Sequence, residues 1–134
     1  MNQEKKYLGI DWGKRKIGLA IAEGETRIAF GYGKIINDRN LLDNLLEIIH
    51  KENITDVVIG VPQHFMRQGE IFEGKKLGEE IKKKSGYEVY YQNEMFTTKM
   101  ANVNLIEQGK RKIKNFDDKE AARIILQQWL DNLK

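Results

Sequence analysis

Tyr7-Leu8-Gly9-Ile10-Asp11-Trp12-Gly13-Lys14-Arg15-Lys16-Ile17-Gly18-Leu19-Ala20-Ile21-Ala22 reads as two apolar strands joined by a tight, basic, glycine-containing turn. In a strand, successive side chains point to opposite faces. Leu8, Ile10 and Trp12 therefore share one face, and Tyr7, Gly9 and Asp11 the other. A carboxylate inside a mostly apolar first strand is costly unless a cation or hydrogen bonds compensate it. The nearest compensation is a metal ion or the Lys14, Arg15, Lys16 turn itself. Trp12, being in a strand, is expected to pack into the core.

Working outward, residues 5 to 12, 16 to 23 and 28 to 36 read as three strands separated by short turns containing Gly13 and Gly24. A helix is expected from about 39 to 52, because Leu41, Leu42, Leu45, Leu46, Ile48 and Ile49 form one stripe at helical spacing. Asn37 and Asp38 are its candidate caps. The apolar run from Asp56 to Pro62 has the character of a buried parallel strand. A charged helix from about 70 to 84 is stopped by Ser85-Gly86, and residues 87 to 93 form a fifth strand. Thr97 or Thr98 begins a helix reaching about Gln108. A last helix opens on the capping box Asp117-x-x-Glu120, with Ala122, Ile125 and Trp129 on one face with Asp118. This order implies an α/β fold in which a mixed sheet carries helices on both sides.

The whole chain, residues 1–134, is expected to form one domain with a substantial core. Forty per cent hydrophobic and 32 per cent charged residues describe a globular rather than a disordered chain. No apolar run approaches the roughly 20 residues of a membrane helix, and the polar start lacks the apolar centre of a secretory signal. No membrane partner and a cytoplasmic location are therefore expected. The absence of cysteine excludes disulfides, thiolate nucleophiles and Cys-ligated zinc. The net charge of +3 is modest, but basic residues gather at Lys14, Arg15 and Lys16, at Lys82 to Lys84, and at Lys110, Arg111, Lys112 and Lys114. Such clusters neutralise backbone phosphates. For Lys82 to Lys84, at the end of a charged helix, a solvated face is the better reading. The other two clusters adjoin candidate catalytic carboxylates.

Three acids stand at element ends where they could converge: Asp11 on the first strand, Glu94 after the fifth, and Asp118 opening the last helix. Open α/β sheets place ligands at the carboxyl ends of their strands. Clustered carboxylates repel unless a cation intervenes, and oxygen-only ligation favours Mg²⁺ or Mn²⁺ over zinc. Two such ions, roughly 3.5–4 Å apart, could flank a scissile phosphodiester, with Asp11 bridging and Glu94 and Asp118 on the flanks.

The chain resembles the YqgF/RuvX group of RNase H-like nucleases over nearly its whole length. Leu8 to Ala20 is similar to the family's strand-turn-strand motif, with Asp11 at its acidic position. Val57-Val-Ile-Gly-Val-Pro62 is similar to its central strand. Asn93-Glu-Met-Phe-Thr-Thr98 resembles its Asp-Glu-Arg-Leu-Thr-Thr, and the stretch from Asp118 to Gln127 its closing helix. The resemblance implies a five-stranded RNase H-like sheet, three antiparallel strands followed by two parallel ones. It implies catalytic and metal-binding roles for Asp11, Glu94 and Asp118 with Mg²⁺ or Mn²⁺. It also implies nucleic acid as the partner, either precursor 16S ribosomal RNA processed at its 5′ end or a Holliday junction in branched DNA. Nucleic-acid contacts are expected from Lys14, Arg15, Lys16, Thr97, Thr98, Lys110, Arg111 and Lys112. This sequence departs from the family pattern at residues 63 to 67, at Asn93, where the family has an acid, and at Met95, where it has arginine.

Plainer readings stand beside these. Asp117 is a helix cap; Asp118 alone would be a first-turn acid favoured by the helix dipole, and Glu94 a solvated loop acid. His64 is a surface histidine before it is a proton carrier, and Phe65 a candidate for base stacking. A nucleic-acid-binding module without turnover is a second function, separated from the first only by metal-dependent product formation. Asp11-x-Gly13 followed by Gly18 also resembles the phosphate loop of actin-like ATPases, but those need two lobes and a longer chain. Symmetric resolution of a four-way junction needs two active sites, so a homodimer suits branched DNA and a monomer suits RNA.

Overall fold

Two antiparallel strands, β1 (Lys6–Asp11) and β2 (Lys16–Glu23), form from the opening run and pair Asp11 with Gly18 and Lys6 with Glu23. The structure is a computed structural model describing residues 4–61, 73–93 and 118–133. The third strand, β3 (Ala29–Ile36), continues the meander against β2, with a register shift between Leu19 and Ala20. Helix α1 (Leu41–Lys51) leads to β4 (Asp56–Val61), which pairs in parallel with β1. Helix α2 (Glu73–Ser85) then leads to β5 (Glu88–Asn93), parallel to β4. Helix α3 (Asp118–Asp131) closes the described chain. The strand order is β3-β2-β1-β4-β5, the mixed sheet expected from the sequence. The expected helix from Thr97 or Thr98 to Gln108, and the Asp117 cap, lie outside the described residues.

The strand period of two sorts the core into two layers. Leu8, Ile10, Ile17 and Leu19 pack with Leu41, Leu45 and Ile49 of α1 and Leu77 and Ile81 of α2. Trp12 packs, partly buried, against the same layer. On the opposite face Tyr7, Ala20, Ala22, Ala29 and Val58 meet Ala122, Leu126 and Leu130 of α3. All six residues of β4 are buried, so this strand is sandwiched between both layers. Each fully buried Leu, Ile or Val contributes roughly 1.5–3 kcal/mol, which makes these layers the main source of stability.

One expectation is corrected at the start of α1. The residue preceding the helix is Asn40, and its side chain makes no capping bond. Asp38 Oδ1 accepts from the Asn40 N–H at 2.9 Å instead, forming a turn before the helix. Asn37 does not cap either; its Nδ2 donates to the Gly13 carbonyl at 2.7 Å. At the end of α2, Ser85 Oγ donates to the Ile81 carbonyl at 2.6 Å and remains in the helix. Gly86, at φ +77, supplies the left-handed stop, its N–H bonded to Lys82.

Among the described residues no helix is long and apolar enough to cross a membrane.

Candidate active site

Asp11 is the last residue of β1 and half-buried, and the parallel pairing brings the carboxyl ends of β1, β4 and β5 to one edge of the sheet. The alternation along β1 turns Asp11 to the same side as Tyr7 and Gly9. That side is covered by α3: Tyr7 meets Trp129 with ring centroids 5.3 Å apart. A Cβ built on Gly9 would stand 2.7 Å from Leu126 Cβ and 3.2 Å from the Ala122 carbonyl oxygen. Only glycine admits the helix this close to β1.

The direction of α3 follows from its contacts with β3. Lys119 lies against Gly31, Gln127 Oε1 accepts from the Ala29 N–H at 2.8 Å, and the Leu133 carbonyl accepts from Arg27 at 3.4 Å. The helix therefore runs back along β3. Both β1 and β3 are antiparallel to β2, so α3 is also antiparallel to β1. Its N-terminal end therefore lies toward the carboxyl end of β1. Trp129 sits over Tyr7 and Ala122 over Gly9. One helical turn before Ala122 is Asp118, a step of about 5.4 Å; two strand residues beyond Gly9 is Asp11, a step of about 6.6 Å.

Asn93 ends β5 opposite Val61 of β4, at that same edge. Glu94 itself, with Thr97, Thr98, Lys110, Arg111 and Lys112, lies outside the described residues, as do His64 and Phe65. Among the described residues no group of three metal-ligating side chains is gathered; of the three candidate acids, only Asp11 has its side chain among them.

The turn from Trp12 to Arg15 projects from this edge. Lys14, Arg15 and Lys16 are exposed, and Lys16 pairs with Ile36 at the start of β2. Asn37 holds the turn twice: its side chain donates to Gly13, and its N–H donates to the Arg15 carbonyl at 2.8 Å. Sequence reading took Asn37 for a helix cap, and only its position just after a strand could have suggested otherwise. Lys82, Lys83 and Lys84 are exposed on α2, as expected of a solvated face, and Lys82 lies 3.7 Å from Glu88. A hollow of about 210 Å³ lined by Glu4, Lys5, Glu23 and Glu52 opens at the opposite edge, by the start of β1, and shares no residue with the site.

Residues 5–132 match the family model described as RuvX: Holliday junction resolvase. The chain belongs to the RuvX family. Within it, a Rickettsia canadensis (strain McKiel) protein named "Putative pre-16S rRNA nuclease" is 38% identical over 137 residues, covering 96% of this chain and 88% of that one. A protein of Anaplasma marginale (strain St. Maries) with the same name is 34% identical over 140 residues, covering 100% and 89%. In solved structures this RuvX-family chain resembles Thermus thermophilus RuvC in complex with a Holliday junction substrate, at TM-score 0.61 and 18% identity, covering 95% and 94%. It also resembles the Fowlpox virus Holliday junction resolvase, at TM-score 0.61 and 13% identity, covering 96% and 99%. These likenesses identify the fold as the RNase H-like fold of the RuvC resolvases.

Proposed function

We propose that this RuvX-family protein is a divalent-metal-dependent nuclease that hydrolyses phosphodiester bonds in structured nucleic acid, acting at the 5′ end of precursor 16S ribosomal RNA. The observation that carries this reading is the placement of Asp11. It ends β1 at the shared carboxyl edge of β1, β4 and β5, beside an exposed basic turn and on the face that α3 covers. The reading joins Glu94, which follows β5, and Asp118 to Asp11 as one acidic site. The names of the Rickettsia and Anaplasma relatives support the RNA substrate.

The donor set suits the implied metal. Carboxylate oxygens without His or Cys are ligands for Mg²⁺ or Mn²⁺, and Asp11, Glu94 and Asp118 would hold a pair of such ions. When bound, these ions supply activation of a water nucleophile and charge stabilisation at the departing 3′ oxygen. The chain's own residues do the rest. Lys14, Arg15 and Lys16 draw the phosphate backbone to the edge by charge, and the N-terminus of α3 adds a partial positive charge favourable to carboxylates and phosphate. The backbone of Asp11 is held in the sheet by its pairing with Gly18, and its carboxylate would be one of the ligands.

Purified protein with Mg²⁺ or Mn²⁺ is expected to shorten a labelled 16S precursor at its 5′ end, and chelator to stop it. Asp11→Asn, which keeps the shape and removes the charge, is expected to lower the rate by roughly 10²–10³-fold or more. Unchanged cleavage in Asp11→Asn would place the chemistry elsewhere. The description of the matched family favours a second reading, resolution of Holliday junctions in branched DNA. A four-way junction run beside the RNA decides between them, and binding of either without product would leave a non-catalytic nucleic-acid-binding module.

A further inference from the structure

We propose that Asn37 is a positioning residue for phosphate binding, holding the basic turn beside Asp11 in the conformation that presents Lys14, Arg15 and Lys16 to a nucleic-acid backbone. The inference rests on the nucleic-acid reading above and adds a residue to it. Asn37 directly follows β3 and is half-buried. Its Nδ2 donates to the Gly13 carbonyl at 2.7 Å, and its backbone N–H donates to the Arg15 carbonyl at 2.8 Å. One residue thus grips two alternate carbonyls of a turn far earlier in the chain, Gly13 being 24 positions before it.

The turn is closed from its other side as well. A Cβ on Gly13 would stand 2.4 Å from the Lys16 carbonyl oxygen, so the backbone there is folded back on itself with no room for a side chain. Trp12, packed against the core, anchors the entry to the turn, and the pairing of Lys16 with Ile36 anchors its exit. The backbone is therefore fixed while the three cations stay in solvent. Fixing it during folding removes an ordering cost from binding, the general benefit of preorganisation. An asparagine suits the position because its amide donates to a carbonyl. Aspartate would set a carboxylate against that oxygen, and alanine would leave the carbonyl without this donor.

The test compares wild type and Asn37→Ala for binding of a labelled RNA hairpin with a single-stranded extension, over a range of salt. Neither protein loses a positive charge. Asn37→Ala is nonetheless expected to bind about three- to tenfold more weakly at about 0.15 M salt, with the slope of log K against log salt reduced by about 0.7–0.9, one phosphate contact. Hydrogen exchange at the amide of residue 37, read without RNA, is expected to accelerate. Gly13→Ala disturbs the same turn while leaving the Asn37 side chain intact and should give the same signature, which covers the case of an Asn37 variant that fails to fold. Wild-type affinity and slope in a folded variant, with only the melting temperature lowered, would overturn the inference. RNA binding by wild type without salt dependence would overturn both this inference and the nuclease reading. Salt-dependent binding without cleavage, with the slope reduced by that amount in Asn37→Ala, would sink the nuclease reading alone.

Discussion

Lys14 and Arg15 stand on the turn beside Asp11, and among the described residues no ion pair engages Lys14, Arg15 or Lys16. Their charge is therefore available to a polyanion. The double substitution Lys14→Gln, Arg15→Gln is expected to lower the salt slope of duplex binding by about 1.8, two contacts at about 0.9 each. A solvated surface with no ligand would leave that slope unchanged. At this scale the sequence was informative about Asp11, because a carboxylate in an apolar strand is conspicuous by its cost. It misled about Asn37. An asparagine just before a helix is a local capping signal, but this one is committed to a carbonyl in the first turn of the sheet. Its place just after β3 is the one local hint, and it does not name a partner so distant in sequence.

Among the elements, α3 sets the packing beside Asp11, because its N-terminal end lies toward the carboxyl end of β1. The spacing between them is set by Gly9, whose missing side chain lets Leu126 and the Ala122 carbonyl approach. Gly9→Ala is expected to destabilise the protein by roughly 1–3 kcal/mol, as overpacking does, and to lower cleavage further by displacing the first turn of α3. Denaturant titration and the cleavage assay read the two effects separately; an unchanged midpoint would show that the helix yields freely. The helical and strand periods were legible in sequence, and α1 differs from its expected bounds by only one or two residues. The close approach of helix to strand was not, since a glycine in a strand signals a bulge, a turn or a neighbour equally well.

For the molecule as a whole, the phenols and the Lys5–Asp56 pair are the described groups with a resolved response to pH. Asp56 is buried at the start of β4, accepts from Thr55 Oγ1 at 2.6 Å and lies 3.4 Å from Lys5 Nζ. Its charge raises the Lys5 pKa above 10.5. Burial first, and Asp56 second, raise Tyr7 and Tyr90 above 10.0; burial also raises Tyr91 and Tyr32. A raised pKa in the folded state means that the unfolded chain loses the proton first. The stabilisation is thus complete below the ordinary values near 10 and is lost as pH climbs through the raised ones. Lys5, Tyr32 and Tyr91 are each more than a third exposed, so screening reduces their share, and Tyr7 and Tyr90 dominate. Denaturant unfolding from about pH 8 to about pH 11.5 is expected to show a plateau, then a decline beginning near pH 10. A flat profile through that range would contradict the assignment.

Among the described residues the sequence by itself determined which stretches are strands and which helices, because alternation and the 3.6-residue stripe are short-range properties of side chains seeking one apolar face. It also determined that Asp11 needed compensation. What only three dimensions decided is the exact register, the antiparallel run of α3 against β1 and β3, its close approach at Gly9, and the grip of Asn37 on the basic turn. Those are long-range choices, fixed by register, by the space a missing Cβ leaves and by hydrogen bonds between residues far apart in the chain, and no local pattern encodes them.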